Sequence, residues 1–462
     1  MKRLIALIIA IVMVFSLTSC GPANTESKAQ SGSAAGDGKI NTSASIKESD
    51  TKVEDGLDLN GKTVTYAIGV QLTDGMKRQI IAFEKKYGCT VETEYLGFTD
   101  YVQLLGSKIA AGNHYDIIQV EGVRFPNIAI ANFCEPLEDV ISTADIGTAK
   151  EKSKGGFDEE LTNAFKWNGH LYAVVGVAGE FSPQMMVMYY NKKYVKEAGA
   201  EDPRELYEKG EWDFDAFYRV GTQIRQALKG KDVYMCDTQT LNRAGYWNGA
   251  QAVDESDRAN PKSNITNSAQ INAFKFAQQC AVGANAISWF GDGGASKFIE
   301  GKLAMFSGFH FDLYQNEEIG KNVEASNAFG KKLDNLGMVP CPMGPDNTDG
   351  KQMVGSWLYG IGAGTGTSDP RIAMAFAKFS TTYKQINTTK YKWSDDDQAL
   401  IDTITDGPKI WNNGSYADGT NYVYLEYAKA CYTIMQGDDI SQAVTKYDKT
   451  IQNCIDVAIA QQ

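Results

Sequence analysis

Between Thr63 and Val120 the chain alternates strand-like and helix-like segments, and that alternation limits the folds open to it. TVTYAI at 63–68 is short, apolar and β-branched, as a buried strand is. Met76, Ile80, Phe83 and Tyr87 then recur at i, i+4, i+7 and i+11, one face of a helix, and Gly88 stands where a helix C-cap favours glycine. VETEY at 91–95 alternates like a strand. YVQLLGSKIAA at 101–111 reads as a second helix, with Thr99 or Asp100 to cap it, and DIIQV at 116–120 is a third strand. The order β-α-β-α-β predicts a parallel sheet with helices on both faces. Ligands of such sheets sit outside the carboxyl ends of the strands, so the loops after Ile68 and Val120 come first. Gln71, Glu121 and Arg124 are the polar candidates there, whereas Asp116, ahead of the apolar run, reads as structural.

A chain of 462 residues exceeds a typical single core, so two lobes are expected. Trp212–Arg225 and Ile271–Val282 have amphipathic helical patterns. The turn-rich run 344–350 precedes a strand-like stretch, 354–363. Asp369-Pro370 opens a helix that runs through Phe379, and Ser394 with Asp397 forms a capping box. The last helix carries Ile440, Val444, Tyr447, Ile451, Cys454 and Ile455 on one face. The glycine-rich run 360–366 fits neither phosphate-loop pattern and reads as a strand-to-helix turn.

The first 60 residues are of a different kind. Lys2 and Arg3 precede an apolar stretch, Leu4–Phe15, that is too short to span a bilayer and has the shape of a secretory signal, residues 1–19. Leu17-Thr18-Ser19-Cys20-Gly21 resembles the bacterial lipobox, which implies cleavage before Cys20 and a diacylglyceryl group on its thiol. Residues 20–60 are then a lipidated cysteine and a flexible linker, too poor in large apolar groups to offset their ordering entropy.

A formal charge of −12 argues against a nucleic-acid partner. The three histidines lie in no metal-binding pattern and the eight cysteines include no C-x-x-C pair, so no metal and no cofactor are expected. The seven cysteines other than Cys20 read mostly as small buried hydrophobes.

Six segments together resemble the family 1 extracellular solute-binding proteins of ABC importers, the sugar-binding, maltose-binding-protein-like group. They are YYNKKYVKEAGAEDP with its following Trp-x-x-x-x-Phe-like stretch (189–218), WNGHLYAV (167–174), YWNGAQAVDES (246–256), FIEGKLAMFSG (298–308), LGMVPCPMGP (336–345) and IMQGDDISQAV (434–444). Val175 stands where that family usually has Pro. The resemblance implies an α/β fold of two lobes, periplasmic-binding-protein-like (type II), with crossing segments at the floor of a ligand cleft. The lobes would be 61–178 plus 342–385 and 179–341 plus 386–462. It also implies an exported, lipid-anchored monomer on the outer face of the cell membrane. Such a protein captures a carbohydrate, an oligosaccharide by expectation, delivers it to the permease subunits and performs no catalysis.

A sugar site wants aromatic plates and short polar groups. Trp247 in a loop, Trp357 beside two glycines and Trp411 in IWNNGSY are candidate plates. Gln184 and His310 are placed by the resemblance, although His310 is one residue short of the place where relatives often carry a stacking Trp, and no Trp is there. Trp167, Trp212, Trp289 and Trp393 are read as structural. Two rival functions stay open: an exported glycoside-active enzyme, which would need a pair of carboxylates, and a surface sensory or adhesion lipoprotein. No motif singles out such a pair, and Asp158-Glu159-Glu160 reads as a solvated run.

Overall fold

A computed structural model describes residues 57–460, apart from 98–99, 153–154, 179–182, 285, 290–293, 311–312, 314–316, 356–357, 384–390 and 419–420. Cys20, the signal segment, most of the linker and Trp357 lie outside the described residues.

β1 (Thr63–Ile68) leads through α1 (Asp74–Tyr87) to β2 (Thr90–Tyr95), and α2 (Tyr101–Ala110) leads to β3 (Ile117–Glu121). A short helix, α3 (Glu159–Asn163), precedes the hairpin of β4 (Lys166–Trp167) and β5 (His170–Leu171). The main elements of the middle are β6 (Met186–Asn191), α4 (Phe214–Ala227), β7 (Cys236–Asp237), α5 (Ser268–Gln278), β8 (Ile287–Ser288), β9 (Met305–Phe309) and β10 (Leu336–Pro340). The last third holds β11 (Gln352–Met353), β12 (Tyr359–Gly362), α6 (Arg371–Thr382), α7 (Asp395–Asp406), β13 (Lys409–Ile410), α8 (Val423–Met435) and α9 (Ile440–Ala460).

The first lobe is built on the sheet β12-β3-β1-β2. β1 runs parallel to both β2 and β3, as the alternation predicts, and β12 closes the edge antiparallel, with Tyr359 opposite Glu121. Thr73 caps α1 by accepting the Met76 N–H at 3.1 Å, and Gly88 ends it at φ 67°. Phe83 of α1 and Tyr66 of β1 both meet Phe376 of α6 edge to face, at 5.1 and 5.4 Å. A late helix therefore completes an early core.

In the second lobe β9, β6 and β10 form an antiparallel sheet in that order. β7, paired parallel with β8, joins it where the Met305 and Ala304 N–H groups donate to Met235 O and Tyr234 O at 2.9 and 2.8 Å. Phe214 of α4 stacks on Phe276 of α5 at 3.9 Å. The chain passes between the lobes beside itself: Val174 bridges Ile361, Met185 bridges Val354, and the Gly355 N–H donates to Gln184 O at 2.7 Å. β11 pairs with β13 at the same crossing.

The turn 344–350 bonds to the second lobe, since Gly344 N–H donates to Trp247 O at 3.0 Å and Asn272 donates to Asp346 at 2.9 Å. Asp158 is buried rather than solvated: it caps α3 by accepting the Leu161 N–H at 3.0 Å and lies 3.1 Å from Lys409 Nζ. Its partner is remote in sequence, so local charge density misleads. The seven cysteines from Cys89 to Cys454 are buried free thiols.

Candidate functional site

The site lies where the two lobes meet beyond the carboxyl end of β3. From the first lobe come Gly122, Phe125 and Pro126, just past β3, and Phe165, Lys166 and Trp167 around β4. Glu255, Arg258, Trp411 and Asn413 face them from the second lobe.

Local sequence explains the first-lobe wall. Asn168 and Gly169 take φ of 49° and 84°, so the two-residue link between β4 and β5 is the Asn-Gly hairpin whose twist matches its strands. The turn fixes Lys166 and Trp167 at its mouth. The Trp167 ring meets Tyr416 of the second lobe at 6.5 Å and 62°, and Phe125 meets Phe165 behind it at 5.3 Å.

On the second-lobe wall, Gln251 donates to Trp411 O at 2.9 Å and Asn413 donates to Val253 O at 2.8 Å. Tyr416 donates its hydroxyl proton to Glu255 at 2.9 Å. Burial pushes the Glu255 carboxyl above its ordinary range, against the pull of Arg258 and of the Tyr416 and Asn413 hydrogen bonds.

The walls touch. Arg258 Nη1 donates to Asn163 O, at the end of α3, at 3.0 Å and also to Lys166 O. Asn127 donates to Ser415 O at 2.7 Å, and the Ser415 hydroxyl donates to Phe125 O. The inner pocket between the walls has a free volume of about 10 Å³, the room of about one water.

Among the residues expected from the sequence, Trp411 lines this pocket. Glu121 and Arg124 lie directly beside it as a buried ion pair around Gly122, with the guanidinium 5.4 Å from the Tyr101 ring centre. Burial lowers the Arg124 pKa, and Tyr101, Tyr424, Tyr422 and Tyr359 surround its charge. Gln71 is exposed in the loop after β1, at the same sheet edge. The rest are elsewhere. Gln184 stands in the crossing segment ahead of β6, with its backbone carbonyl bonded to Gly355. Trp247 is buried against Phe217, 6.1 Å between rings, inside the second lobe. His310 sits over the crossing, its Nδ1 3.3 Å from Met185 O and its ring 5.4 Å from Trp393.

Sequence reasoning passed over Trp167, Glu255, Arg258, Asn413 and Tyr416. The Asn-Gly turn beside Trp167 was a usable signal. Nothing local marked the other four, which reach the cleft only by tertiary folding. Among the described residues, no group of three or more His, Cys, Asp or Glu could hold a metal ion, and no helix is long and apolar enough to cross a membrane.

Two α/β lobes, joined by crossing strands and closed on an aromatic and polar cleft, define a two-lobe periplasmic-binding-protein fold. The profile of the bacterial extracellular solute-binding proteins matches residues 79–400, and the chain belongs to that family. Its members are exported binding proteins, not enzymes. No curated protein sequence matches the chain. Among solved structures it is similar to the sugar-binding protein MalE from Xanthomonas citri, at 13% identity, with 86% of this chain and 98% of that chain covered and a TM-score of 0.65. An ABC substrate-binding protein from Listeria monocytogenes in complex with cycloalternan matches at 15% identity, covering 85% of this chain and 99% of that chain, TM-score 0.60. UgpB from Mycobacterium tuberculosis in complex with glycerophosphocholine matches at 17% identity, covering 86% of this chain and 99% of that chain, TM-score 0.60.

Proposed function

We propose that this chain is the lipid-anchored receptor of an ABC importer, capturing a carbohydrate, an oligosaccharide by preference, outside the cell. The observation that carries the reading is the composition of the interlobe cleft. Trp167, Trp411 and Phe125 supply apolar ring surface, while Glu255, Arg258 and Asn413 supply hydrogen-bonding groups beside it. A pyranose presents the complementary faces: apolar C–H surface flanked by hydroxyls. Similarity to MalE, and to a binding protein in complex with cycloalternan, supports the same ligand class.

A sugar ring needs far more than about 10 Å³, so binding requires the lobes to part and then reclose. The ligand acts by favouring the closed population. Closure would bring Trp411 over the sugar and keep the Glu121–Arg124 pair as a charged support beneath Gly122. Gln71 belongs to the open cleft in this reading, whereas Gln184, Trp247 and His310 would act through packing.

Titration calorimetry of the purified protein against a panel of neutral and acidic oligosaccharides tests it. At least one saccharide should bind, and Trp167→Ala should weaken that binding by about tenfold or more, a loss of about 1.4 kcal/mol. Flat traces for every sugar, with heat only from a peptide or a polyamine, contradict the carbohydrate assignment. Turnover of an oligosaccharide that is lost with one carboxylate would favour an enzyme instead.

A further inference from the structure

Outside the aromatic pocket the cleft opens into a hollow bounded by Asn163, Lys166, Asn168, Gly169, Arg258 and Ala259. Each of its four polar side chains is a cation or an amide, and no carboxylate lines it. The chain as a whole has 57 acidic residues against 45 basic ones, so a lining with two cations and no carboxylate departs from its average.

The two cations are placed differently. Lys166 is anchored by the Asn168-Gly169 hairpin and points into water. Arg258 is half-buried, and its Nη1 is fixed by the Asn163 and Lys166 carbonyls. Its Nε and Nη2 make no hydrogen bond among the described residues, and neither cation is in an ion pair there. The nearest carboxyl on the pocket wall, Glu255, is bonded to Tyr416 at 2.9 Å. A guanidinium with unbonded donors and an ammonium, both lining one open hollow, suit a planar carboxylate. The hollow shares Lys166 and Arg258 with the aromatic pocket, so one ligand can reach both.

We infer that the ligand is an acidic oligosaccharide, with a sugar ring beside Trp167 and Trp411 and a uronate carboxylate at Lys166 and Arg258. This rests on the carbohydrate reading and adds the charge.

The test compares trigalacturonate with maltotriose and cellotriose by calorimetry on the full-length protein, at low and at high salt. Trigalacturonate should bind at least about tenfold tighter than either neutral trisaccharide. The preference should shrink as salt screens the partly exposed charges. Lys166→Gln should cut the ratio of acidic to neutral affinity by about threefold or more. If a neutral trisaccharide binds as well or better, with a ratio that neither salt nor Lys166→Gln moves, the acidic ligand is overturned and the carbohydrate reading stands. If no saccharide of either kind binds, the carbohydrate reading itself falls.

Discussion

His310 follows β9 with its ring against Trp393, and burial outweighs the nearby Met185 carbonyl to hold its pKa down at about 4. An unfolded histidine titrates near 6.5. Between those values the unfolded chain binds more protons than the native one, so stability falls as pH falls. The contribution is complete above about pH 6.5 and is lost progressively toward the native value. Between about pH 7 and pH 5 the loss should be roughly 2 kcal/mol, at about 1.4 kcal/mol per unit. Urea unfolding of the wild type and His310→Gln at both pH values checks this. The variant should lose less stability on acidification by about that amount, and equal losses would contradict it. The location matters as much as the size. His310 stands over the crossing between lobes, so its protonation disturbs the hinge region and not the aromatic cleft.

At the scale of elements, α3 depends on one remote lysine. Asp158 caps its first turn, and Lys409 of β13 lies 3.1 Å away with only 4% of its side chain exposed. Removing the cation leaves a buried carboxylate without its partner, a change that costs about 3–5 kcal/mol. Lys409→Met should therefore lower the stability measured by denaturant unfolding by that order. Asp158→Asn combined with Lys409→Met should recover part of the loss. A silent Lys409→Met would show that the pair carries no weight. Elements set by neighbours along the chain were legible beforehand: the α1 face with its Gly88 cap, and Ser394, which accepts the Asp397 N–H at 3.1 Å and donates to its carboxylate at 2.9 Å. Contacts between distant segments were not legible. Asp158 read as solvated because Lys409 is remote, and nothing along the chain showed that Trp167 would meet Tyr416. The loop after β3 was located by topology, which is a rule about whole sheets, and so Glu121 and Arg124 came out beside the pocket. Glu255 lies in the quoted segment 246–256 and Arg258 just past it, yet no local pattern separates a cleft-facing carboxylate from a surface one.

At the scale of the whole molecule, capture by lobe closure is useful only if the receptor stays near its transporter. The proposed anchor meets that need. A single acyl chain holds a protein to a membrane only marginally, whereas two chains give durable attachment, and a diacylglyceryl group on Cys20 would supply two. Leu57 and Leu59 are already buried in the folded body, so the proposed linker is the stretch 20–56, which would let the lobes open and close without pulling on the lipid. The folded body carries its other seven cysteines as buried free thiols, which leaves Cys20 as the cysteine outside that packing scheme. Cys20→Ser should therefore act on location alone. Fractionation of cells should find the variant in the medium or as an unprocessed precursor, while metabolic labelling with a fatty acid should mark the wild type only. Calorimetry on the released variant should give the wild-type affinity, because the cleft is lined by residues of the folded body. A variant that stays membrane-bound, correctly processed and labelled would sink the anchor. A variant that is released but fails to bind its ligand would mean that the segment has a part in the cleft as well.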